Sequence, residues 1–116
     1  DIAAWHDLMM LHVCHAGDGN LHPLVAFDAR VPGMLDRVSA AAREMVEVSI
    51  EAGGSLSGEH GIGIEKRDLM GLVFGTLDLD AQARVKEAFD PQGIMNPGKI
   101  LPSGSRCFDA AGARLS

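Results

Sequence analysis

The run Leu-Met-Met-Leu-His-Val-Cys from Leu8 to Cys14 is apolar and stops at Ala-Gly-Asp-Gly-Asn, the pattern of a buried strand that ends at a turn. A second apolar run, Leu21 to Phe27, comes at once after it, and so short a Gly/Asp/Asn connection predicts an antiparallel hairpin. Pro23 puts the second strand near a sheet edge or a strand start, because proline has no N–H to give to a ladder. Pro32 opens a predicted helix where a missing N–H costs nothing, and Leu35, Val38, Ala42, Met45 and Ser49 recur at spacings of three and four on one face. Gly53-Gly54 ends that helix.

Beyond it, Ser-Leu-Ser reads as a short third strand leading into Gly-Glu-His-Gly-Ile-Gly, and two further helices are expected over Ile64–Leu72 and Leu79–Phe89. Asp78 or Asp80 is a suitable cap for the second of these, and Asp-Pro-Gln-Gly from Asp90 terminates it. Ile94 to Leu101 is expected to be ordered and extended, and residues 103–116 to form a weakly specified tail. The pattern as a whole predicts an α+β fold, a small and mostly antiparallel sheet covered by helices. A sheet of so few strands is marginal alone, so an edge or face is expected to pair with polypeptide absent here or with a second copy of the chain.

With 116 residues, 47% of them hydrophobic and 22% charged, the chain suits one globular domain and excludes a disordered tail. A formal net charge of -6, with no Lys/Arg stripe, argues against nucleic acid as a partner. No run reaches the roughly 18 apolar residues of a bilayer crossing, and the start lacks the basic region of a signal peptide. The two cysteines, Cys14 and Cys107, are too few for a disulfide framework. A cytoplasmic protein is therefore expected. The start, with no Met and no capped element, is expected to be a fragment boundary.

The chemistry concentrates at His15 and His22, which sit at the two mouths of the hairpin loop, and at Glu59-His60 between glycines. Imidazole and carboxylate are ligands that a borderline divalent metal prefers, and two His with one Glu leave a coordination position open, as catalytic sites do. Strand pairing would bring the two rings to one side of the sheet. Gly-Asp-Gly from Gly17 and Gly-Ile-Gly from Gly61 imitate dinucleotide fingerprints, yet His22 and Lys66 stand where the third glycine belongs. Asp18 and Asn20 are read as loop-stabilising residues.

Three stretches then carry a family resemblance: His-Ala-Gly-Asp-Gly-Asn-Leu-His-Pro; Gly-Gly-Ser-Leu-Ser-Gly-Glu-His-Gly-Ile-Gly-Ile-Glu-Lys; and Ala-Phe-Asp-Pro-Gln-Gly-Ile-Met-Asn-Pro-Gly-Lys-Ile-Leu-Pro. In this order, over about residues 11 to 102, they resemble the C-terminal domain of FAD-linked oxidases. The glycolate oxidase flavoprotein branch is the nearest in pattern, with D-lactate and D-2-hydroxyglutarate dehydrogenases as relatives. The resemblance implies a partial ferredoxin-like cap domain over residues 1–102, incomplete at its N-terminus and without the FAD-binding domain.

The same resemblance implies that His15, His22 and Glu59 bind a divalent metal (zinc, iron or manganese), that His60 is the catalytic base beside the flavin, and that Asn96 lies near the isoalloxazine ring. Lys66 is a candidate for holding an anionic substrate. The implied partners are a small 2-hydroxy acid, an FAD-binding domain or polypeptide, iron-sulfur and other oxidase subunits that would hold the protein at the inner membrane, and a second copy through the exposed sheet. Two other functions fit the same residues: a flavin-independent hydrolase using a metal-bound water, and a non-catalytic metal-binding or assembly module.

Overall fold

The predicted hairpin is the only sheet among the described residues of the computed structural model, which are residues 1–102. Strand β1 (Met9–His15) pairs antiparallel with β2 (Asn20–Ala26), and the register sets Val13 opposite His22 and His15 opposite Asn20. A 3-10 turn over Ala16–Asp18 joins them, closed by Gly19 in the left-handed region at φ 67°. A residue with a Cβ would be strained there, so the glycine is what lets the chain reverse. The expected tail, with Cys107, lies outside the described residues.

Contacts divide the chain into two compact units, the first Asp1–Gly58 and the second beginning at Glu59. In the first unit a short helix α1 (Ile2–Trp5), which the hydrophobic pattern did not announce, precedes β1. It is held to α2 (Met34–Glu51) by His6 Nε2 against Glu44 Oε2 at 2.8 Å and by Arg37 with Asp7 at 3.5 Å. Helix α2 starts after Pro32, behind Gly33 at φ 75°. Its inward line is Met34, Val38, Ala41 and Met45, with Ala41 fully buried, while Leu35, Ala42 and Ser49 are exposed. The apolar stripe is thus turned by about one position from the expected one, because neighbouring positions on a helix are both eligible and the packing partner chooses between them.

Helix α2 ends as expected. The Gly54 N–H reaches back to the Ser49 carbonyl at 2.8 Å and the Gly53 N–H to that of Ile50 at 2.9 Å, with Gly53 at φ 85°. This crossed pair is the Schellman arrangement. A Cβ on Gly54 would lie 2.7 Å from the Ser49 carbonyl oxygen, so the second glycine is required by closeness and the first by conformation. The anticipated third strand does not form: Ser55 Oγ donates to the Ser57 carbonyl at 3.0 Å, a local turn that uses the polar groups a ladder would have needed.

In the second unit the helix expected over Ile64–Leu72 shrinks to a 3-10 helix over Arg67–Leu72, because Gly61 and Gly63 take positive φ values of 78° and 57° and keep the preceding segment in turns. Helix α3 (Thr76–Phe89) begins earlier than its apolar pattern. Asp78 acts as a cap from within the first turn, its Oδ2 accepting the Gly75 N–H at 2.9 Å. Met70 and Ala83, 2% and 1% exposed, and Leu101 form the buried apolar core of this unit.

Asp90, just past α3, is 6% exposed and organises the segment C-terminal to it. Its Oδ1 accepts the Ile94 N–H at 3.0 Å, its Oδ2 accepts the Met95 N–H at 2.9 Å, and Lys86 Nζ bridges the carboxylate and the Met95 carbonyl. The segment 94–101 is consequently a series of turns, with Asn96 at φ 47°, and not the extended run expected. The Lys86 hydrogen bond, against the opposing effect of burial and with help from the Met95 and Ile94 amides, holds the Asp90 carboxyl below the usual carboxylate range. A depressed folded value means that this stabilisation is present above the unfolded value and disappears as pH falls through the folded one. Asp90→Asn is therefore expected to unfold at lower denaturant than the parent at neutral pH, and the gap should close in strong acid. A gap that stays constant across a denaturation series from neutral to strongly acid buffer would refute the assignment.

Candidate functional site

The hairpin register decides the first half of the site. Paired residues share a face, so Val13, His22, His15 and Asn20 project to one side of the sheet, and His12 and Cys14 to the other. The His15 and His22 rings lie 5.2 Å apart between centroids at 81° to one another. His22 is half-buried and His15 exposed. The expectation that strand pairing unites these two imidazoles is met. Cys14 is exposed on the opposite side.

Asn20 does more than stabilise the loop. It is half-buried, and its side chain packs against the backbone of Gly58: a Cβ on Gly58 would lie 2.4 Å from Asn20 Oδ1 and 2.8 Å from its Cγ. Gly58 is therefore a residue of close approach, a role the sequence hinted at only by its place in Ser-Gly-Glu-His-Gly. It seats the end of the first unit on the hairpin mouth, one peptide bond before Glu59.

The second unit opens with Glu59 and His60, both exposed. Glu59 Oε1 and His60 Nε2 are 3.7 Å apart. From His60 to Lys66 the chain lines a groove of about 260 Å³. Two contacts join the 94–101 turns to this segment and its 3-10 helix: the Ile100 N–H donates to the Gly63 carbonyl at 2.7 Å, and Arg67 Nη1 donates to the Gly98 carbonyl at 3.0 Å. Asn96 thus lies in a segment fixed at one end by Asp90 and at the other by Gly63 and Arg67.

The sequence matches the family described as FAD linked oxidases, C-terminal domain, over residues 1–100. The chain belongs to this family. Among curated relatives of the FAD-linked oxidase family, it is 47% identical over 104 residues to the glycolate oxidase subunit GlcD of Escherichia coli K12, a match that takes in 90% of this chain and 21% of that protein. It is 42% identical over 106 residues to the GlcD subunit of Bacillus subtilis 168, 91% of this chain and 23% of the relative. The D-lactate dehydrogenase [cytochrome] 1, mitochondrial, of Saccharomyces cerevisiae is 40% identical over 89 residues, 77% of this chain and 15% of the relative. The chain thus spans less than a quarter of the length of these oxidoreductases, at 21%, 23% and 15%. Its α+β hairpin-and-helix structure is that of a part of the family's C-terminal domain.

Proposed function

We propose that this chain is the substrate-side part of an FAD-dependent 2-hydroxy-acid dehydrogenase of the glycolate or D-lactate type, in which His15, His22 and Glu59 hold a divalent metal and His60 removes the substrate's hydroxyl proton. One observation carries the reading: two imidazoles stand 5.2 Å apart on one face of the hairpin mouth. Asn20, opposite His15 in the register, packs on the residue that precedes Glu59.

The donor chemistry fits a divalent metal. Two imidazole nitrogens and one carboxylate oxygen are a set that zinc, iron and manganese accept, and they leave room for substrate oxygens. A metal ion bound there supplies Lewis acidity, which in comparable coordination lowers the pKa of water from 15.7 to about 7. His15 and His22 would hold the ion from the two strands of the hairpin, and Glu59 would lower the net charge of the site by one. His60, the next residue, is exposed where a hydroxyl could reach it and serves as the proton acceptor.

FAD, when bound, would supply the hydride-accepting chemistry of the oxidation. Asn96 is this chain's proposed contact to it, held in its left-handed conformation by the Asp90 clamp before it and the Gly63 and Arg67 contacts after it. The rest of the FAD site is assigned to a flavin-binding domain, in keeping with the small share of the relatives' length that this chain matches. Met9, Leu11, Val13 and Leu24, all at least half exposed on the histidine face of the sheet, support a surface completed by other polypeptide.

The test is reconstitution. The chain, replacing the matching region of the Escherichia coli GlcD subunit, is loaded with FAD and manganese or zinc, and flavin bleaching is followed anaerobically with glycolate and with D-lactate. Flavin that stays oxidised with both acids, in a protein shown to be folded and loaded, would sink the reading.

A further inference from the structure

The segment that leads to Glu59 is pinned at successive points within the first unit. Ser55 Oγ donates to the Ser57 carbonyl at 3.0 Å, Leu56 is buried at 5% exposure, and the backbone of Gly58 lies against the Asn20 side chain. A Cβ on Gly58 would run into the whole amide group, with Oδ1 at 2.4 Å, Cγ at 2.8 Å and Nδ2 at 3.1 Å. Unlike Gly61 and Gly63, Gly58 is not in the left-handed conformation that favours glycine. Its identity is accounted for by the close approach of Asn20, a residue far away in the sequence.

The hairpin loop closes on its own backbone, with the Gly19 N–H donating to the Ala16 carbonyl at 3.4 Å and Gly19 left-handed. The Asn20 side chain projects to the same face of the sheet as His15, its partner in the register, and as His22. It is half-buried on a paired strand, and so short an amide limits how far backbone that packs on it can move.

We infer that Asn20 is a positioning residue for Glu59: by holding Gly58 at the hairpin mouth it fixes the backbone from which the Glu59 carboxylate serves the proposed metal site. The metal part rests on the proposed function, whereas the ordering of the Glu59 backbone does not. A side chain that orients a metal ligand is typically worth about 10- to 100-fold in metal affinity.

The experiment uses the full chain, with zinc alone as the metal probe, and compares the parent with Asn20→Ala, Glu59→Ala and the double variant. In the metal-free chain, the backbone amide order parameters of Gly58 and Glu59 are expected to fall in Asn20→Ala, while that of His22 stays at the parent value. Unchanged order at Gly58 and Glu59 overturns the inference. Asn20→Ala should also weaken zinc binding by about 10- to 100-fold, yet by less than about 2-fold when Glu59 is already alanine, because nothing is then left to position. An equal loss in both backgrounds would show that Asn20 acts on the histidines through the loop, which also overturns it. Gly58→Ala forces the same contact apart from the other side and is read by the same two measurements if Asn20→Ala does not fold. A parent chain that takes up no zinc would defeat the metal reading, and the order parameters alone would then decide the role of Asn20.

Discussion

His15→Ala is expected to lose stoichiometric divalent metal while remaining folded. The side chain is exposed at the end of β1, so its removal leaves no buried cavity and no lost core contact. One of three proposed ligands disappears, and affinity should fall by more than the roughly 10- to 100-fold that losing an outer-shell partner of a ligand costs. His12→Ala is the control that makes the result specific. It removes an imidazole from the same strand, but one paired with Pro23 on the opposite face, and it should leave metal content unchanged. Metal analysis after gel filtration reads both variants. Equal losses from the two would show that uptake depends on imidazole number and not on the geometry of the hairpin mouth.

The second large effect concerns rate. In the FAD-loaded hybrid, His60→Gln should lower kcat about 10²- to 10⁴-fold, the range typical for removal of a general base, with the metal still bound. Glutamine keeps a polar group of similar reach but cannot take the proton. Because His60 is exposed and is not among the proposed ligands, both metal content and thermal stability should match the parent. Stopped-flow measurement of flavin reduction isolates the proton-transfer and hydride step from reoxidation. A kcat within a few-fold of the parent would remove His60 from the chemistry.

Much of the fold was readable because local rules carried it. The hairpin was legible in two apolar runs joined by a short glycine-rich loop, the end of α2 in Gly53-Gly54, and the end of α3 in the Asp90-Pro91 break. The misreadings share a cause. Ser55 to Ser57 has strand-like alternation but satisfies its polar groups in a local turn, and the apolar run from Ile64 was overruled by glycines whose left-handed conformations interrupt a helix. The inward line of α2 was displaced by one position because packing chooses between neighbouring helical positions, and α1, which His6 and Glu44 hold to α2, is too short to leave a periodic signal.

For the site, the sequence by itself determined the inventory: two histidines bracketing a hairpin loop, a Glu-His pair between glycines, and the family to which those motifs belong. Strand parity alone places His12 and His15 on opposite faces, whereas the register of the hairpin, with His15 opposite Asn20, is what brings His22 to the side of His15. Only the tertiary structure decided that Asn20 packs on Gly58, that Asp90 folds the segment carrying Asn96 into turns, and that Lys66 shares a groove with His60 and has no carboxylate ion-paired to it among the described residues. Those are matters of distance between residues far apart in the chain or of a side chain's surroundings, and both are set by packing, which no local pattern encodes.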